Sequence, residues 1–225
     1  SSIIGPKQTP SRLGASGFFS VNSALAETGA NTWPVVGLRG YKLQNASFTS
    51  QASSLTPANG RGIDMSSNGT SVIICMHATQ TLYQYPFSTA YDSTTFSNTA
   101  DATISLSDTR PFDCRFSSTG HKVYVSGNND KKIESFSLST NYDISTAGSG
   151  TLSSSLSTLS SSAVTNLIGL AFKPDGSKMF IADQAADKVF SFSMSTPWDI
   201  SSSSLSYDSS TSFSIPTTLS DGTYA

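Results

Sequence analysis

The sequence predicts an all-β protein assembled from repeated sheets, and three observations carry this prediction. Only 12% of the 225 residues are charged, and an abundance of serine and threonine favours strands and turns over helices. A glycine-centred turn occurs three times, at Gly69, Gly120 and Gly176. The segments that contain these turns align without a gap over 63–92, 114–143 and 170–199. A gapless threefold alignment indicates one structural unit used three times.

The first strand of each unit carries two apolar residues on one face. Ile63 and Met65, Cys114 and Phe116, and Leu170 and Phe172 stand two residues apart, which is the strand repeat. The turn that follows places its glycine where a positive φ costs little. The same alternation continues in the second and third strands, at Val72 and Ile74, Val123 and Val125, Met179 and Ile181, then Tyr85, Phe136 and Phe192.

The spacing of these units predicts a β-propeller of four-stranded antiparallel blades. The turn glycines lie about 50 residues apart, and propeller blades have four strands and periods in that range. Neighbouring blades stacked face to face bury the two apolar faces that one blade cannot bury alone. The fourth strands are expected near 103–106, 152–159 and 212–215. A β-solenoid is the structural alternative, although its coils are usually shorter and lack the hairpin glycine.

The chain divides at about residue 40. Residues 1–40 show no repeat and form a predicted N-terminal docking arm, while 41–225 form the blade region. Within it we expect an outer strand and three blades, followed by the start of a fourth, at 41–55, 61–106, 112–160, 168–215 and 221–225. Propellers use about 4–8 blades. Either the chain continues beyond residue 225, which the break in the pattern favours, or several chains complete a ring.

The predicted arm is too apolar for a solvated tail. Five residues are its docking candidates: Phe18, Phe19, Trp33, Val35 and Val36. The first residues lack a basic segment followed by an apolar core, so no secretion signal is expected. A formal net charge of -2 argues against a general nucleic-acid binder, and no apolar run is long enough to insert into a membrane.

Reactive residues are sparse, and the sequence predicts a protein that is not an enzyme and uses no cofactor. It has two histidines and no recognisable nucleophile, zinc or phosphate-loop motif. Asp92, Asp143 and Asp199 recur after an aromatic residue, where a short acceptor caps a turn more often than it binds a metal. The loops after the second strand differ between units, as expected of a scaffold that recognises a glycan or a protein.

The segments "GLAFKPDGSKMFIADQAADKVFSF" and "SMSTPWDISSSSLSYDSSTSFSI" resemble β-propeller repeats in structural proteins of marine tailed bacteriophages and in some bacterial surface proteins. Residues 14–34 resemble N-terminal segments of phage virion proteins. The resemblance implies a non-enzymatic virion component, such as a tail, neck or head fibre, a nozzle or a decoration protein. It would attach to portal, tail or capsid proteins, form an oligomer there and meet a host surface glycan or protein. The alternatives are a bacterial surface-binding propeller and a lactonase-like propeller enzyme with bound calcium.

Overall fold

The chain folds into three antiparallel sheets in a computed structural model that describes residues 59–208 and the backbone of 213–214. Each sheet is called a blade, and its strands lie in chain order from one edge to the other. Blade 1 contains β1 (Gly60–Met65), β2 (Ser71–Met76), β3 (Thr81–Pro86) and β4 (Ala102–Ser105). Blade 2 contains β5 (Pro111–Phe116), β6 (Lys122–Gly127), β7 (Lys132–Ser137) and β8 (Thr151–Leu152). Blade 3 contains β9 (Leu167–Phe172), β10 (Lys178–Asp183), β11 (Lys188–Met194) and β12 (Leu205–Tyr207), and β13 (Phe213–Ser214) also pairs with β11.

The first two strands of each blade form a hairpin whose register puts the repeated apolar residues on one face. Ile63 pairs with Ile74 in blade 1, Cys114 with Val125 in blade 2, and Leu170 with Ile181 in blade 3. The three turn glycines have φ values of +72°, +74° and +75°. Because an L-residue rarely adopts this left-handed conformation, glycine is the residue that lets the chain reverse there.

Adjacent blades stack face to face around their first strands. β1 lies against β5, and β5 lies against β9. One apolar cluster joins Ile73 and Leu82 of blade 1 to Phe116 and Val123 of blade 2. A second cluster joins blade 2 to blade 3, through Tyr124, Ile133, Leu170, Met179 and Phe192. The predicted all-β, propeller-type blade repeat is therefore confirmed, and within the described ranges the three blades do not close into a ring.

The outermost strands differ from the prediction in two blades. Of the expected strand at 152–159, only β8 forms, and Leu156–Leu159 is a single helical turn, α1. Leu156 is fully buried in the cluster between blades 2 and 3, so a helical turn that inserts this side chain replaces strand pairing. In blade 3 the fourth strand is β12, which pairs with the last residues of β11, while β13 pairs with its first residues.

Several sequence predictions lie outside the described residues. They comprise the docking candidates Phe18, Phe19, Trp33, Val35 and Val36, the expected outer strand at 41–55 and the expected start of a fourth blade at 221–225. In the part of the chain that is described, no helix has both the length and the apolar character needed to cross a bilayer.

Candidate functional site

The repeat-defining glycines and aspartates build one turn structure that recurs in every blade. The residue before each aspartate has a positive φ and lays its ring over the turn glycine, so that Tyr91, Tyr142 and Trp198 cover Gly69, Gly120 and Gly176. Each aspartate then accepts a hydrogen bond from the backbone two residues on, at 2.9 Å: Asp92 from Thr94, Asp143 from Ser145 and Asp199 from Ser201. These hydrogen bonds make the aspartates turn caps. They do not converge, and no group of three or more metal-ligating side chains occurs among the residues described.

Carboxylates on the first strands connect one blade to the next. Asp64 of blade 1 accepts from the backbone N–H of Phe116 at 2.8 Å, and Asp113 of blade 2 accepts from that of Leu170 at 2.9 Å. Arg115 forms an ion pair with Asp113 at 2.8 Å. Burial raises the pKa of Asp113, although these partners oppose the shift. Because its carboxylate already accepts from Leu170 of the next blade and is ion-paired with Arg115, Asp113 serves to hold the blades together.

Gly62 is required by this arrangement because blade 2 approaches it closely. A Cβ atom at Gly62 would lie 2.4 Å from the Cα of Asp113. The backbone N–H of Gly62 donates to the Sγ of Cys75 at 3.2 Å. Cys75 and Cys114 are both buried free thiols in the core between blades 1 and 2, as expected of small core residues.

The residue eight positions after the turn glycine contacts the start of the next blade. In blade 2 this residue is Asn128, whose Oδ1 accepts from the N–H of Leu167 at 2.9 Å and whose Nδ2 donates to Asn166 at 2.7 Å. In blade 1 it is His77, whose ring lies edge-on to Phe112 at 6.3 Å. His77 follows β2 and is half-buried against the neighbouring blade.

Two arginines lie over the same aromatic ring. The guanidinium carbon of Arg61, on β1, is 5.1 Å from the centroid of Phe112, and that of Arg110, just before β5, is 6.0 Å from it. His77 completes this group, which we call the inner-strand cluster: Arg61, His77, Arg110 and Phe112. Neither arginine forms an ion pair with any residue that the structure describes. Exposed guanidinium groups that contact one ring, and that are not ion-paired with a described carboxylate, are suited to bind an anion.

Sequence reasoning missed this cluster because its members do not occupy equivalent repeat positions. Arg61 stands eight residues before its turn glycine, while Arg110 stands ten before the next one. A search for repeated residues therefore passes over both. The signal that could have found them is an Arg–x–Phe pattern at the start of the second blade, which places a cation beside an aromatic ring.

The comparisons with known proteins concern the fold. No protein-family model matches the chain, and no curated protein matches it. Among solved structures, it is similar to a Bacteroides fragilis protein with a provisional 6-phosphogluconolactonase name, at 12% identity over 69% of this chain and 39% of that chain, with a TM-score of 0.49. A Pseudomonas aeruginosa periplasmic gluconolactonase is 14% identical over 69% of this chain and 40% of its own, with a TM-score of 0.48.

A functionally unknown protein from Desulfotomaculum acetoxidans is 10% identical, over 72% of this chain and 60% of that chain, with a TM-score of 0.41. The chain thus spans about two fifths of the length of the two named lactonases. At such low identity, the likeness is one of fold.

The interpretation of the chain as a bacteriophage virion protein is wrong. The three similar solved structures described here carry lactonase names or no known function, and none of them is named as a fibre, neck, nozzle or decoration protein. The sequence resemblance followed the blade repeat, which is a packing solution that unrelated proteins share. A repeat that recurs for physical reasons does not identify a function.

Proposed function

We propose that this chain is a ligand-binding propeller segment that holds a small anion, such as a sugar acid or a sugar phosphate, at the inner-strand cluster. The observation that carries the proposal is the pair of guanidinium groups over Phe112 without an ion-pair partner within the described residues. An anion there would supply the counter-charge that no described residue gives to either guanidinium group. Arginine suits this role because its planar fork of N–H donors matches a carboxylate or a phosphate.

The fold supports such a site by placing the cluster on rigid elements. Arg61 and Phe112 belong to the first strands of two blades, and Asp64 and Asp113 tie these strands to their neighbours. The variable loops that follow β2, β6 and β10 lie at the same end of the blades as the cluster. An inner-strand cluster that is held on rigid strands next to variable loops favours recognition of a small ligand.

Calorimetric titration of the full chain with 6-phosphogluconate and with gluconate tests the proposal. We take these two probes from the names of the similar structures. Arg61→Gln and Arg110→Gln should each weaken binding by about tenfold or more, because a charge-assisted hydrogen bond is worth about 1.5–3 kcal/mol. Lys173→Gln removes the same charge from the turn at the opposite end of blade 3 and should leave the affinity unchanged. Equal affinities for all four proteins, or no binding by any, would refute the site.

An activity assay on the native protein and on a further variant, His77→Gln, tests whether the chain is an enzyme. Hydrolysis of gluconolactone, followed by pH-stat titration, is the reaction to measure first because two of the similar structures carry names of that kind. Hydrolysis that His77→Gln abolishes without loss of anion affinity would make the segment a lactonase. Binding without hydrolysis would leave it a binding module, in line with the sequence prediction of a non-enzymatic protein.

A further inference from the structure

The two cysteines of the sequence face each other across the contact between blades 1 and 2. Cys75 lies on β2 and Cys114 on β5, and both are 0% exposed within the apolar cluster that joins these blades. The Sγ of Cys114 lies 3.8 Å from the carbonyl oxygen of Ile73, a residue two positions before Cys75 and on the same face of β2. A hydrogen bond also links the side chains of the two cysteines. The two thiols are therefore neighbours, although they belong to different blades.

Gly62 of β1 is in contact with both cysteines. Its N–H donates to the Sγ of Cys75 at 3.2 Å, and a Cβ atom at this position would lie 2.8 Å from the backbone nitrogen of Cys114. Since Gly62 has no side chain, β1 and β5 approach closely there, and Cys114 comes next to the strand that carries Cys75. A disulfide needs such proximity, because it joins Cβ atoms that are only about 3.5–4.5 Å apart.

The surroundings of the two thiols give them different chemical roles. Hydrogen bonds from Cys114 and Gly62 lower the pKa of Cys75, although burial opposes this shift. Burial raises the pKa of Cys114 well above its ordinary value, and the hydrogen bond with Cys75 raises it further. The thiolate is the nucleophile in sulfur chemistry. Cys75 is therefore the attacking sulfur of the pair, and Cys114 is the sulfur that resolves the product.

We propose that Cys75 and Cys114 form an oxidation site, at which hydrogen peroxide makes a disulfide that links blade 1 to blade 2. The Cys75 thiolate attacks one peroxide oxygen, the O–O bond breaks, and the hydroxide that leaves takes a proton to become water. The Cys114 sulfur loses its proton and attacks the sulfenic acid on Cys75, so that the S–S bond forms as the S–O bond breaks and a second water leaves. The two sulfurs together lose two electrons, and the peroxide gains them.

The disulfide would hold one blade contact shut. Because both thiols are buried, peroxide reaches them only when the two blades part locally, so the reaction should be slow in the native protein. Once formed, the bond closes a loop that contains β3 and β4, and it restricts the unfolded chain. At the contact between blades 2 and 3, the equivalent positions hold Ser126 and Leu170, which cannot form such a bond. Among the described blades, oxidation therefore acts on the first contact alone.

Treatment of the full chain with hydrogen peroxide, followed by intact-mass measurement and thiol titration, tests the site. The oxidised monomer should weigh two hydrogen atoms less and have no free thiol, and dithiothreitol should restore both thiols. The equilibrium constant of unfolding should fall at least about tenfold on oxidation and return on reduction, because the bond restricts the unfolded chain. Chemical denaturation of the oxidised and the reduced protein measures this change.

Two single variants separate the roles of the sulfurs. Cys114→Ala should stop at a sulfenic acid on Cys75, which dimedone traps. Cys75→Ser should react with peroxide at least about tenfold more slowly, because the remaining thiol is buried and holds its proton. Serine suits this position, since Ser126 occupies the equivalent buried position of blade 2. Equal oxidation rates for the two variants would overturn the assignment of the attacking sulfur.

Refolding in a glutathione redox buffer removes the barrier that burial sets to the oxidant. The refolded chain should contain the disulfide between Cys75 and Cys114, identified by mass spectrometry of a non-reduced digest. A folded protein that keeps both thiols in the most oxidising buffer would overturn the proposal. A bond that joins two chains, seen as a covalent dimer on a non-reducing gel, would overturn it as well.

Discussion

Replacing Asp183 with alanine is expected to lower the free energy of unfolding by about 4 kcal/mol, since several charge-assisted hydrogen bonds to a buried carboxylate are lost together. Asp183 ends β10 and is 1% exposed. It accepts from the N–H groups of Thr165 and Asn166 at 2.6 and 2.7 Å, and from those of Ala185 and Ala186 at 3.0 and 2.9 Å. The carboxylate thus holds two loops of blade 3, and chemical denaturation monitored by circular dichroism measures its loss.

Asp130→Ala provides the control for this substitution. Asp130 lies in the corresponding loop of blade 2, but it is exposed, and its carboxylate accepts from the neighbouring Asn129 side chain. We expect a change of less than about 1 kcal/mol there, as for most surface substitutions. Similar losses for the two variants would show that Asp183 does not organise the loops.

The effect of Asp183 should also depend on pH. Burial tends to raise its pKa, but the hydrogen bonds from Asn166, Thr165 and Ala186 together outweigh burial and hold the pKa below the ordinary value. A lowered pKa means that the unfolded chain binds the proton more readily, so this stabilisation is complete above the unfolded pKa of about 3.9 and is lost as the pH falls through the folded pKa. The difference in stability between the protein and Asp183→Asn should therefore be constant above about pH 5 and shrink in more acidic solution.

Gly120→Ala is expected to lower the free energy of unfolding by about 3 kcal/mol. The left-handed conformation costs an L-residue about 1–2 kcal/mol and overpacking costs about 1–3 kcal/mol. A Cβ atom at Gly120 would lie 2.5 Å from ring atoms of Tyr142. That ring cannot move away easily, because it packs edge-on to Phe116 at 5.1 Å and its hydroxyl donates to the Ser118 carbonyl at 2.8 Å. Thermal or denaturant unfolding gives the measurement.

Two further variants separate the contact with the ring from the backbone strain. Gly148→Ala is the matched control, since its Cβ would meet only the Ser137 carbonyl oxygen at 3.8 Å, and it should change stability by less than about 1 kcal/mol. In the Tyr142→Ala background, Gly120→Ala should cost less than in the native protein, because the clash is gone and only the strain remains. Additive losses would contradict the role given to the ring.

The repeat could be predicted from the chain because its signals are local. Three of these signals reflect backbone geometry within a few residues. They are the glycine of each hairpin turn, the apolar residues spaced two apart, and the aspartate that follows an aromatic residue. The ring stacked over each glycine was not expected, since Tyr142 and Gly120 are distant in sequence and meet only when the third strand returns to the turn. The expected outermost strand of blade 1 near 103–106 is present as β4, but the outermost strands of blades 2 and 3 differ from the prediction, because serine-rich segments carry little alternation and Leu156 is drawn into the core.

The amino-acid order by itself therefore determined the blade unit, its three copies and the faces that each blade must bury. The tertiary structure alone decided which side chains from different blades meet. Arg61, His77, Arg110 and Phe112 come from two blades and share no repeat position, and so their cluster exists only through the stacking of β1 on β5. The physical reason is that strand and turn preferences act between near neighbours along the chain, whereas a binding site depends on contacts that folding brings together.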